Sequence, residues 1–109
     1  MKSQHIPVPI LTQHLVFPPV TQATSDGLLA VGGDLSTDRL MLAYRSGVFP
    51  WFNDDSLLLW WSPDPRAVLF PNKLKVSRSM RRLLQKDRFR VTRNRNFTEV
   101  ITHCARVER

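Results

Sequence analysis

The 109-residue chain has one cysteine, Cys104, so no internal disulfide can form and no disulfide framework holds the fold. Histidine is scarce and badly placed for a metal. His103 adjoins Cys104, while His5 and His14 lie far away in sequence, and neither arrangement has ligand spacing. No apolar run approaches the ~20 residues that a membrane-spanning helix needs. The N-terminal MKSQHIPVPILTQH has no apolar core of a secretory signal. The chain is therefore expected in the cytoplasm, with no membrane partner, no metal and no cofactor. Acidic residues almost vanish in the second part: after Pro65 only Asp87, Glu99 and Glu108 remain.

What is present suffices for a folded protein. Hydrophobic residues make up 42% and charged residues 23%, so a core can form and disorder is not the expectation. The net charge of +7 is unevenly placed. Residues 1–65 hold three basic against six acidic side chains, and residues 66–109 hold thirteen against three. The first part is thus mildly acidic and the second strongly basic. Such a balance favours anionic partners, nucleic acid foremost.

The charge changes sign inside GVFPWFNDDSLLLWWSPDPRAVLF, residues 47–70, which holds all three tryptophans and three of the eight prolines. Trp brings a large apolar surface with an N–H that needs a partner, and Pro fixes the backbone. The stretch reads as a rigid aromatic seam between two sub-structures. Trp60 and Trp61 are adjacent, so on a strand at least one must face inward. Trp51, between Pro50 and a turn, is the least committed to a core.

Around the seam, the pattern gives an α/β chain. His14, Leu15, Val16 and Phe17 read as a short strand ended by Pro18-Pro19, and the first several residues are expected to be mobile. Leu28 to Val31 reads as a buried strand or turn. Gly32-Gly33 then allows a tight turn into a helix; a phosphate cradle would need more than two glycines and the Lys-Ser/Thr pair of a P-loop. Ser36 suits the N-cap of a helix over 37–46, with Asp38 in its first turn and Gly47 just past its end. Leu40, Ala43 and Tyr44 share one face of it, which makes core packing one reading of Tyr44. Residues 53–56 form a turn by composition. Strands are expected over 57–61 and 66–70, and another over 89–93. Ser77 caps a helix over about 78–87, with Met80, Leu83 and Leu84 on one side and Arg78, Arg81, Arg82, Gln85 and Lys86 on the other. Asn96 with Glu99 resembles a capping box opening a last helix to about Val107.

The second helix is the sharper functional signal. A solvated face normally mixes signs, but here only Asp87 offsets four basic residues. Arg78/Arg82 and Arg82/Lys86 stand at i, i+4, where like charges destabilise a helix. Arginine forks onto phosphates and stacks on bases, and tryptophan beside such groups suits single-stranded nucleic acid or its ends. These residues alone leave a non-catalytic RNA-binding or tRNA-binding module open beside an enzyme.

Four segments in order, GLLAVGGDLS (27–36), LAYRSGVFPWF (42–52), WWSPDPRAVL (60–69) and SRSMRR (77–82), closely resemble the leucyl/phenylalanyl-tRNA–protein transferase family. The match runs from about Phe17 to at least Arg90. The resemblance implies an aminoacyltransferase that moves leucine or phenylalanine from Leu-tRNA or Phe-tRNA onto the N-terminal Lys or Arg of an acceptor protein, marking it for degradation by an N-degron route. It implies a small N-terminal α/β domain, residues 1–65, and then the first strands and helices of an acetyltransferase-like (GNAT-like) domain, residues 66–109, cut short. It assigns Trp51, with Tyr44, Trp60 and Trp61 supporting that wall, to the 3′ end of the tRNA. It assigns Arg78, Arg81, Arg82 and Lys86 to the acceptor stem. Members often carry another basic residue where this chain has Gln85. The chemistry, an amine attacking an activated ester, needs a base and oxyanion stabilisation. Residues 1–109 offer no convincing base: Asp64 stands between two prolines. Family members are longer, so the chain is expected to be an inactive part of one, with the catalytic residues elsewhere.

Overall fold

The computed structural model describes residues 7–108. The backbone divides into two compact units, Met1–Val68 and Leu69–Arg109. The expectation of mobile first residues falls largely outside the described range.

The first unit is built on a four-stranded sheet: β1 (Ile10–Leu11), β2 (Leu28–Gly32), β3 (Phe49–Pro50) and β4 (Leu59–Trp61), in the order β1-β2-β4-β3. β1 runs parallel to β2, pairing Ile10 with Val31. β4 is antiparallel to both its neighbours, pairing Trp60 with Ala30 on one side and with Pro50 on the other. Between Leu28 and Ala30 the β2/β4 register slips by one residue. That bulge lets the sequence neighbours Leu29 and Ala30 both enter the core, where each is buried.

Helix α1 (Thr37–Arg45) starts where Ser36 Oγ accepts the Arg39 N–H, satisfying one of the donors that a helix start leaves open. It ends in a Schellman arrangement. The Val48 N–H reaches Ala43 O at 2.8 Å and the Gly47 N–H reaches Tyr44 O at 3.3 Å. Gly47 takes the left-handed backbone, φ 74°, that this ending requires.

The core joins Leu29, Ala30, Ala43, Val48 and Trp60, with Leu11, Phe17, Ala23, Leu40 and Leu58 packed against it. Trp60 is fully buried. Phe17 meets its ring edge-on at 5.0 Å, and its Nε1 donates to Gly32 O at 2.8 Å. Arg39 is buried as well. Its guanidinium donates to Thr12 O at 2.7 Å and His14 O at 3.3 Å, tying the segment after β1 down onto α1.

The second unit holds α2 (Arg78–Gln85) and α3 (Phe97–Arg106) with a 3-10 turn at Pro71–Lys73. None of its described residues is buried. Met80, Leu83, Leu84, Phe97, Val100 and Ile101 are all exposed.

Three expected strands are absent. Residues 14–17 are not a strand. Arg39 takes the carbonyls of Thr12 and His14, Val16 N–H bonds back to His14 O, and the edge pairing falls to Ile10 and Leu11 instead. Residues 66–70 form no ladder; Arg66 turns its side chain back onto Gly47 O at 3.0 Å. Residues 89–93 are irregular, bracketed by left-handed Asp87 (φ 52°) and Asn94 (φ 60°), with no strand beside them among the described residues. The strand expected over 57–61 forms at Leu59–Trp61 only. α3 is present, but Asn96 makes no side-chain capping bond.

Candidate nucleic-acid interface

In the first unit the tryptophans take three different environments. Because β4 alternates its faces, Trp60 points into the core and is 0% exposed. That burial leaves its ring no surface for a solute and places it in the core beneath the sheet. Trp61 is half-buried and its Nε1 donates to Trp51 O at 2.8 Å. The Trp51 N–H in turn donates to Leu59 O at 3.1 Å. The Trp51 backbone is thus fastened to β4 on both sides of its Cα, while the residue is 68% exposed. A fixed backbone carrying an open indole is a platform on which a planar group can stack at little ordering cost.

Tyr44 is the penultimate residue of α1. At 63% exposed it is not packed in the core, and its hydroxyl makes no hydrogen bond among the described residues. It stays available beside the seam, since α1 packs against β3. Phe52 adds another exposed ring.

Two arginines escaped the sequence reading. Arg66 lies over the Phe49 ring at 5.4 Å and donates to Gly47 O, which Ser62 Oγ also reaches at 3.2 Å. A cation there complements the negative end of α1 and locks the second half of the seam onto the helix. Arg39 was legible only as a charge on the helix face of Ala43, one turn from it, where an apolar residue belongs. Beside it, Asp34 Oδ2 sits 3.4 Å from the Arg39 guanidinium. The Asp34 carboxyl is held below its ordinary value of 3.8, first by the Ser36 hydroxyl and then by the Ser36 N–H; desolvation opposes them, and Arg39 adds a lesser lowering.

In the second unit, Ser77 Oγ accepts the Met80 N–H at 3.2 Å and starts α2. Arg78, Arg81 and Arg82 follow on the helix, and Lys86 is its C-cap. All four are exposed, and among the described residues none pairs with a carboxylate. The unit as a whole carries twelve basic against three acidic side chains. The structure therefore gathers the four basic residues within about two helical turns, and the aromatic residues separately on the sheet and helix of the first unit. Among the described residues no cluster of His, Cys, Asp and Glu could hold a metal ion, and no helix is long and apolar enough to cross a membrane.

Comparison with known proteins decides between the families that could carry such features. A family model described as "Leucyl/phenylalanyl-tRNA protein transferase N-terminal domain" matches residues 33–64. A second, "Leucyl/phenylalanyl-tRNA protein transferase", matches residues 68–109. The chain is 59% identical, over 95% of its length, to a leucyl/phenylalanyl-tRNA–protein transferase of Syntrophobacter fumaroxidans.

The chain belongs to the leucyl/phenylalanyl-tRNA–protein transferase family.

Similar proteins of that name occur in Flavobacterium johnsoniae, 54% identical over 91% of the chain, and in Syntrophus aciditrophicus, 54% over 95%. The chain spans under half the length of these relatives: 44% of the first, 47% of the second and 44% of the third. The two family models meet near the structural division after Val68. The first covers α1 and most of the aromatic seam, and the second covers the basic unit.

Proposed function

We propose that this chain is the tRNA-holding part of an aminoacyltransferase that moves leucine or phenylalanine from Leu-tRNA or Phe-tRNA to the N-terminal Lys or Arg of an acceptor protein, in the cytoplasm, as a step toward degradation of that acceptor. The observation that carries the reading is the pair of consecutive family matches across residues 33–64 and 68–109. The exposed, backbone-anchored Trp51 and the unpaired cations of α2 support it independently. In this reading residues 1–65 are the small N-terminal α/β domain and residues 66–109 open an acetyltransferase-like domain.

Trp51 stacks on the 3′-terminal adenosine. Tyr44 lines the same site, and Trp61 holds the Trp51 backbone from behind. Arg78, Arg81, Arg82 and Lys86 grip the acceptor stem. The reaction joins the acceptor's α-amine nitrogen to the aminoacyl carbonyl carbon and releases the tRNA 3′ oxygen, with one proton passing from the amine to that oxygen. The group that relays the proton lies outside this chain.

The test is transfer of labelled leucine from Leu-tRNA to a peptide beginning with Arg or Lys. The complete gene product carrying this chain is expected to transfer it, and the 109-residue chain alone is not. Absence of transfer by the complete protein, with tRNA binding intact, would favour the RNA-binding module.

A further inference from the structure

We infer that the loop at residues 88–95, outside α2, is a second RNA contact that grips the phosphate backbone; the inference rests on the reading of tRNA as the partner. The sequence there is RFRVTRNR: four arginines in eight residues, with no lysine and no acid. All four are exposed, and among the described residues none pairs with a carboxylate. Asp87, next to the loop in sequence, makes no ion pair with them among the described residues.

The backbone shapes the loop for a ligand. Asn94, left-handed at φ 60°, curls the chain so that Arg90, Val91, Thr92, Arg93 and Arg95 line one shallow hollow of about 250 Å³. That is room for a phosphodiester group with its first waters. Each guanidinium offers a planar fork that matches two phosphate oxygens, and Thr92 adds a hydroxyl donor at the same rim. Unpaired like charges held this close repel one another, and a polyanion relieves that repulsion. Phe89 at 73% and Val91 at 89% exposed give the loop apolar surface beside its cations, which suits a sugar or base edge next to the phosphate. Arginine to the exclusion of lysine favours this forked, stacking mode over diffuse attraction.

The experiment measures tRNA affinity of the chain against salt for the wild type, for Arg90→Gln/Arg93→Gln and for Arg78→Gln/Arg82→Gln. Each lost phosphate contact lowers the slope of log affinity against log salt by about 0.7–0.9. The loop variant is expected to bind roughly tenfold more weakly near 0.1 M salt, with a slope smaller by about 1.5. Arg90→Lys/Arg93→Lys keeps the charges and is expected to recover most of the slope, which separates a phosphate contact from a folding defect. An unchanged slope in Arg90→Gln/Arg93→Gln, while Arg78→Gln/Arg82→Gln loses affinity, would overturn the loop contact and leave the tRNA reading standing. Absence of tRNA binding by the wild type would overturn both.

Discussion

The Trp61 indole nitrogen donates a 2.8 Å hydrogen bond to the Trp51 carbonyl oxygen, so the half-buried tryptophan of the pair fixes the backbone of the exposed one. Trp61→Phe keeps a ring and removes the donor. It is expected to lower the unfolding free energy by about 1 kcal/mol, read by chemical denaturation. Trp60→Phe instead deprives Gly32 O of its donor next to the core and is expected to cost about 1–3 kcal/mol. A larger loss at Trp61 than at Trp60 would contradict this division between support and core.

Arg39→Met replaces a buried guanidinium by an apolar side chain of similar reach, takes the guanidinium donor from the Thr12 carbonyl and leaves the His14 carbonyl with the Val16 N–H alone. The first unit is expected to lose about 2–4 kcal/mol, and proteolysis within residues 12–17 is expected to quicken. A variant as stable as the wild type would mean that Pro18-Pro19 and Phe17 hold that segment unaided.

Asp34 supplies a pH dependence with a definite sign. Its folded-state pKa lies below the ordinary value of 3.8, so its contribution is fully present above that value and is lost as pH falls through the folded pKa. Asp34→Asn is expected to flatten the stability profile in that acid window, with its loss of stability fully present near neutrality and vanishing below the folded-state pKa. The check is thermal denaturation at a series of pH values, and an undiminished acid slope in the variant would place the titration elsewhere.

Ser77→Ala tests the start of α2. In a unit with no buried residue among those described, the cap bond to Met80 N is a large share of what holds the helix. The substitution is expected to cost about 1 kcal/mol and to reduce far-ultraviolet helical ellipticity visibly. Unchanged ellipticity would show that α2 is held by something other than its cap.

Features set by neighbours in sequence could be read before the fold was known. Ser36 and Ser77 as N-caps, Gly47 past the end of α1, and the three helices all follow from local rules. Strands depend on partners far along the chain. Residues 14–17 have strand-like composition, yet the ladder position beside β2 went to Ile10 and Leu11. Residues 89–93 alternate well and still find no partner among the described residues. Burial was legible for the Trp60/Trp61 pair as an either-or, since strand geometry sends them to opposite sides, and the choice between them needed the sheet. The buried Arg39 shows locally only as a charge on the apolar face of α1, and the helix-locking Arg66 shows nothing, because their acceptors, Thr12 O, His14 O and Gly47 O, lie 27, 25 and 19 positions away.

Binding of tRNA with and without its 3′-terminal adenosine, to the wild type, Trp51→Ala and Arg78→Ala/Arg82→Ala, tests the tRNA-holding role most directly. The wild type is expected to prefer the intact 3′ end, Trp51→Ala to lose that preference while keeping most of its affinity for the shortened tRNA, and Arg78→Ala/Arg82→Ala to weaken both tRNAs equally. A wild type indifferent to the terminal adenosine, or a Trp51→Ala variant that keeps the preference, would contradict the account.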